Sequence, residues 1–84
     1  YGLSYQDVVI KLQKQDNKCS ICEREILLKG HASDSAYVDH DHKTQQIRDM
    51  LCVHCNRGLG GFKDNIPLLL KAIEYLKKHN NIVT

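Results

Sequence analysis

Tyr5, Val8, Val9 and Leu12 recur at the three- and four-residue spacing of one helical face. Ser4-Tyr5-Gln6-Asp7 just before them resembles a capping box, with Asp in the place where Glu or Gln is usual. The pattern predicts a helix over residues 5–15 that ends at Asp16-Asn17, its apolar stripe turned to the core. The periodicity then stops. Cys19 to Cys22 reads as a tight knuckle in which backbone amides point at the sulfurs. Residues 23–35 are polar apart from Ile26-Leu27-Leu28, and Gly30 to Ser35 reads as a loop. Ala36 to His40 predicts a short strand, Lys43 to Gln46 a polar turn, and Ile47 to Cys52 a second strand, together a β-hairpin. Val53 to Phe62 predicts a helix whose end is weakened by Gly58, Gly60 and Gly61. Asp64 or Asn65 caps a last helix over 66–79 with Pro67 in its first turn. Leu69, Leu70, Ile73 and Leu76 are its expected buried face, and Lys77, Lys78 and His79 stand at its C-terminal end, where cations are favoured. Helix, knuckle, hairpin, helix, helix makes a small α+β fold.

Length sharpens this picture. A chain of 84 residues is one domain. Its core is modest, and chains of this size are commonly held by a metal or by disulfides. With one Phe and no Trp, large aromatic anchors are scarce. The four cysteines fall as Cys19-x-x-Cys22 and Cys52-x-x-Cys55, two pairs in the spacing of a structural zinc site. Two disulfides are the alternative. They need an oxidising compartment, and the first residues lack the basic region and apolar run of a secretory leader. No apolar run is long enough to cross a membrane. The chain begins at Tyr1 and not at Met, the mark of a processed chain or of a piece of a longer one.

Net charge is only +2. Its distribution is uneven: residues 1–42 hold five Lys/Arg against seven Asp/Glu, a balance of −2, and residues 43–84 hold seven against three, a balance of +4. The basic half suits a phosphate backbone, and a bound cation would offset part of the acidic half, which includes Asp39 and Asp41. Ordinary solvated surface accounts for the same numbers.

Val38-Asp39-His40-Asp41-His42 carries the chemistry. On a strand, neighbouring side chains point to opposite faces, so Asp39 and His40 diverge unless the strand ends or bulges there. A carboxylate can hold a hard cation such as Mg²⁺, while an imidazole takes a proton from water. Asn56, directly after the last Cys, offers an amide oxygen from the next helix. Hard and soft ligands therefore sort into two metals. Four thiolates close a structural zinc site and leave no open position, and oxygen ligands hold a second, catalytic cation.

The string VDHDHKTQQIRDMLCVHCNRGLGGFKDNIPLLLKAIEYL, with the first Cys pair before it, resembles the phage recombination endonuclease VII family. That family lies within the HNH, or ββα-metal (His-Me finger), nucleases. The resemblance covers roughly residues 19–76. It implies a zinc-stapled ββα-metal core over 19–62 between flanking helices 5–15 and 66–79, in a single domain 1–84. It implies that Cys19, Cys22, Cys52 and Cys55 bind zinc, that Asp39 and Asn56 bind catalytic Mg²⁺ or Mn²⁺, and that His40 is the general base. His42 matches the family's second His, close to the scissile phosphate. The implied reaction is hydrolysis of a DNA phosphodiester, leaving a 5′-phosphate and a 3′-hydroxyl. Two departures stand out. Asp49 occupies a position where the family usually has Gly, and the phage resolvases continue past this core into helices that build a dimer.

Each residue also has a plainer reading. Asp41-His42 repeats the first pair and competes for its role. Asn56 alone is equally a helix cap. Lys43, Arg48, Arg57 and Lys63 are phosphate-contact candidates, and each alone reads as solvated surface. His54, between the cysteines of the second knuckle, points to solvent or DNA, and His31 and His79 look incidental. The expected function is a Mg²⁺-dependent DNA endonuclease in the cytoplasm of a bacterial or phage-infected cell. A homodimer would suit paired cleavage by a single-site nuclease. A sequence-specific restriction or homing nuclease is the nearest alternative. A non-catalytic zinc-binding DNA or protein interaction module is the alternative from another class, and it has no use for Asp39, His40 and Asn56 together.

Overall fold

The computed structural model describes residues 3–28 and 33–80. Part of the expected loop, including His31, lies outside the described residues. The elements are helix α1 (Tyr5–Lys14), strands β1 (Tyr37–His40) and β2 (Ile47–Leu51), and helices α2 (Val53–Gly61) and α3 (Ile66–Asn80).

α1 begins as its sequence requires. Ser4 Oγ accepts from the Asp7 amide and Asp7 returns the contact to the Ser4 amide, both at 3.1 Å, which closes the capping box. It stops where Asp16 and Asn17 turn left-handed, with φ of 61° and 58°, a conformation these two residue types tolerate well. Two C-terminal carbonyls are thereby paired, since Asn17 N–H donates to Leu12 O and Asp16 N–H to Gln13 O.

Gln15 then does something its sequence position does not announce. Its Nε2 donates to Lys18 O and Met50 O, both at 2.9 Å, and its Oε1 accepts from Met50 N–H at 2.8 Å. The amide thus pairs with β2 as one more strand residue would. Met50 is fully buried, so loss of this partner strands its N–H away from water. Gln15→Ala is expected to cost about 1–3 kcal/mol. Urea unfolding of the zinc-loaded chain measures it.

β1 and β2 form a two-stranded antiparallel sheet with Tyr37 opposite Leu51, Val38 opposite Met50 and His40 opposite Ile47. The register shifts between Val38 and His40. Two β2 residues, Arg48 and Asp49, therefore stand against the single residue Asp39. This is a bulge in β2, the strand that carries the extra residue, and it breaks the alternation along β2. The core is small: Leu12, Cys19, Ile26, Met50, Leu51 and Cys52, with Val8, Val38 and Leu59 among the side chains packed on it. Two of its six buried members are cysteines, so the sulfur cluster is anchored in the core through Cys19 and Cys52 and reaches the surface at Cys22.

The expectation for α3 is corrected. Its apolar stripe is uncovered: Leu70 is 57% exposed, Ile73 47% and Leu76 55%, and only Leu69 of the four is half-buried. Periodicity shows which face of a helix wants cover. It does not say that the cover lies in the same chain, and no other element among the described residues packs substantially on α3.

Candidate functional site

The four sulfurs are assembled by two turns. At the first knuckle the Ile21 amide points at Cys19 Sγ at 3.4 Å. At the second, Cys52 is the N-cap of α2 and its Sγ accepts from the Cys55 amide, also at 3.4 Å. Cys52 is still extended, with φ −74° and ψ 168°, which is why the strand pattern runs into it and the helix starts after it. Sulfur atoms of Cys19, Cys22, Cys52 and Cys55 all lie within 4.8 Å of one another, and Cys22 and Cys52 Sγ are 3.7 Å apart. Tetrahedral zinc with bonds of about 2.3 Å sets sulfurs about 3.8 Å apart, so the four cysteines are positioned to bind zinc.

The thiol acidities fit a cluster suited to a cation. Burial opposes ionisation of Cys19, but hydrogen bonds from the Cys52, Cys22 and Ile21 amides outweigh it and bring the thiol down to about 6. Burial, together with hydrogen bonds to its sulfur neighbours and the charge on Cys19, pushes Cys55 up to about 12. One thiolate among four close sulfurs suppresses the next. Four together require a positive ion between them.

The bulge builds the second cluster. Asp39 is only 8% exposed. Arg48 reaches it from across the hairpin, with Nε 2.6 Å from Oδ2 and Nη2 3.0 Å from Oδ1. The same Nη2 donates to His40 O at 3.3 Å and to Asp64 Oδ2 at 3.0 Å. The hydrogen bond with Asp39 raises the Arg48 pKa above its ordinary value, burial opposes the rise, and Asp64 adds to it. Arg48 is thus placed among carboxylates. Asp64, read from sequence as a candidate cap, leaves that work to Asn65, whose Oδ1 accepts from the Leu68 amide at 3.0 Å.

His40 ends β1 and is half-buried. Its ring centroid lies 4.7 Å from that of the exposed His42, so the two imidazoles meet. The two Asp-His pairs are not equivalent. Asp41 Oδ1 accepts from the amides of Lys43 at 2.8 Å and Thr44 at 3.0 Å, which fixes the hairpin turn. The Thr44 and Lys43 amides lower its pKa below the usual carboxylate range. Asp39 has no such backbone duty among the hydrogen bonds described.

Asn56 lies in the first turn of α2, half-buried, on the helix that packs against β1. An open groove of about 600 Å³ between the hairpin turn and the α2–α3 junction is lined by His42, Lys43, Arg48, Lys63 and Asp64. A smaller hollow of about 220 Å³ on the knuckle side is lined by Asp39, Arg48 and Asp49. Arg48 lines both and stands between Asp39 and the larger groove. Arg57 is exposed on α2 and lines neither. Asp49 takes a hydrogen bond from Ser20 Oγ at 2.9 Å, which ties the first knuckle to the hairpin. Gln15, and Asp64 as anything but a helix cap, were missed by sequence reasoning. The bulge that makes Asp64 matter has no signal in the apolar pattern.

Comparison with known proteins agrees with this geometry. Residues 1–78 match the family described as Recombination endonuclease VII. The Gene 59 protein of Mycobacterium phage D29 is 38% identical over 79 residues, which are 93% of this chain and 46% of that protein. The Gene 59 protein of Mycobacterium phage L5 is 39% identical over 77 residues, 90% of this chain and 44% of that protein. The chain therefore spans less than half the length of these relatives. Among solved structures, the β-β-α-Me type II restriction endonuclease Hpy99I is similar, with a TM-score of 0.63 and 38% identity over 83% of this chain and 41% of that one.

Proposed function

Since the chain belongs to the recombination endonuclease VII family, we propose that it is an HNH-type DNA endonuclease that hydrolyses phosphodiester bonds with a divalent cation and a histidine base. One observation carries the reading. The buried Asp39 and the half-buried His40 sit together at the end of β1, opposite the bulge in β2, on the strand against which the helix that carries Asn56 packs.

Asp39 and Asn56 would hold Mg²⁺ or Mn²⁺. Both offer hard oxygen atoms, and the buried Asp39 carboxylate already takes the positive charge of Arg48 as partner. Among the described residues, no group of three His, Cys, Asp or Glu gathers there as it does at the sulfurs. A site with so few protein ligands leaves positions for water and phosphate, the habit of Mg²⁺. When bound, the ion supplies charge stabilisation to the phosphate and to the departing 3′ oxygen.

The chain's own residues supply the rest. His40 accepts a proton from the attacking water through an imidazole nitrogen. His42, beside it, lies near the phosphate and donates to its oxygens. Lys43 and Lys63 flank the larger groove and give the DNA strand a cationic floor. Arg57 is placed for a contact farther along α2. The four-cysteine zinc site does no chemistry. It pins the start of α2 next to the hairpin, and with it Asn56. The uncovered stripe of α3 supports the pairing of two copies, which suits cutting two strands.

Two substrates fit. The family points to branched DNA, and the likeness to a restriction endonuclease favours a duplex cutter as the second reading. The chain is expected to cut an end-labelled four-way junction or a linear duplex of matching arms, leaving 5′-phosphates that a ligase rejoins. Preference for the junction marks a resolvase and preference for the duplex a restriction-type enzyme. Cut ends carrying 3′-phosphates would count against the mechanism.

A further inference from the structure

We propose that Arg48 competes with the catalytic cation for Asp39, and that Asp64 is the positioning residue that draws the guanidinium aside so the cation can bind. The inference rests on the reading of Asp39 as a cation ligand.

Both Asp39 oxygens are in contact with Arg48, at 2.6 Å through Nε and 3.0 Å through Nη2. A guanidinium and a divalent cation seek the same lone pairs there. The grip is uneven. Arg48 Nε is buried and, despite its short contact, has no partner in hydrogen-bond geometry. Nη2, by contrast, already binds Asp64 Oδ2 at 3.0 Å. A guanidinium has five N–H donors in a rigid fork, so Arg48 can leave Asp39 while Nη2 keeps Asp64. The backbone also fixes Asp64 in place. Lys63 and Asp64 are consecutive left-handed residues, with φ of 57° and 54°, and the Asp64 amide closes the turn by donating to Leu59 O at 2.9 Å. The Arg48 ion pair adds a side-chain contact to that turn. Arg48 also lines both the hollow of Asp39 and the groove that Asp64 lines, so a shift toward Asp64 moves the guanidinium from the hollow to the groove.

Without Asp64, Arg48 has Asp39 as its one carboxylate partner, and the cation must displace it. The probe is Mn²⁺, titrated by electron paramagnetic resonance into the zinc-loaded chain. Asp64→Asn is expected to weaken Mn²⁺ binding roughly fivefold, the size of a partly exposed ion pair. Asp64→Glu should retain wild-type affinity. Arg48→Gln should tighten Mn²⁺ binding and cancel the effect of Asp64→Asn in the double variant. Zinc content and far-UV circular dichroism establish that each variant folds. Unchanged Mn²⁺ affinity in Asp64→Asn overturns the proposal without need of the Arg48 variant. Equal weakening with and without Arg48 also overturns it, since Asp64 would then act on the cation directly. Mn²⁺ binding that survives Asp39→Asn overturns it together with the cation site itself.

Discussion

Cys52→Ser is expected to leave the chain unfolded and without zinc at neutral pH. Cys52 is fully buried, belongs to the core cluster, caps α2 through its sulfur and lies 3.7 Å from Cys22 Sγ. Serine keeps a weak cap but not a thiolate. Structural zinc in small fingers contributes about 10–16 kcal/mol of apparent binding energy that is also folding energy. A whole domain is stable by only about 5–15 kcal/mol. With six buried apolar side chains among the described residues, two of them cysteines of the sulfur cluster, little remains to hold the fold without the metal. Metal analysis and far-UV circular dichroism of the purified variant check this. A folded, zinc-free Cys52→Ser chain would show that the metal is not the staple.

His40→Ala is expected to reduce the rate of DNA cleavage by about 10²–10⁴, the contribution of a positioned general base. Zinc content and fold should be unaffected, since His40 is only half-buried and is not among the core side chains. His42→Ala should cost less, because its companion Asp41 is committed to the hairpin turn and not to a cation. Single-turnover rates of the two variants with equal zinc content decide between the repeated pairs. A greater loss in His42→Ala would transfer the base to the second pair.

What was legible in the sequence follows from what a local pattern encodes. The α1 stripe and cap, the two knuckles, the hairpin and α2 are set by neighbours within a few residues, and each lies within a residue or so of its expected place. The cysteine spacing likewise foretold the gathering of the four sulfurs, because two C-x-x-C pairs are a common zinc pattern. Arg48 shows the limit. Read as a phosphate contact, it lies between Asp39 and Asp64. A bulge adds one residue to one strand and re-aims its side chains, and nothing in the apolar and polar order of β2 records it. Gln15 is a second case. A helix-end amide that pairs with a strand 35 positions away depends on tertiary closure, not on the helix. The stripe of α3 was read correctly as apolar and wrongly as covered, since a chain's own pattern is silent about partners.

The central claim is that Asp39 and His40 form a nuclease centre on a zinc-stapled hairpin–helix core. It is tested most directly by mixing the purified, zinc-loaded chain with a labelled four-way junction and a matching linear duplex in Mg²⁺, beside its His40→Ala variant. The account predicts that the wild-type chain cuts at least one of the two DNAs and that the variant, equally folded and zinc-loaded, does not within the same time. Failure of the folded, zinc-loaded wild-type chain to cut either DNA, or equal cutting by the variant, would contradict it.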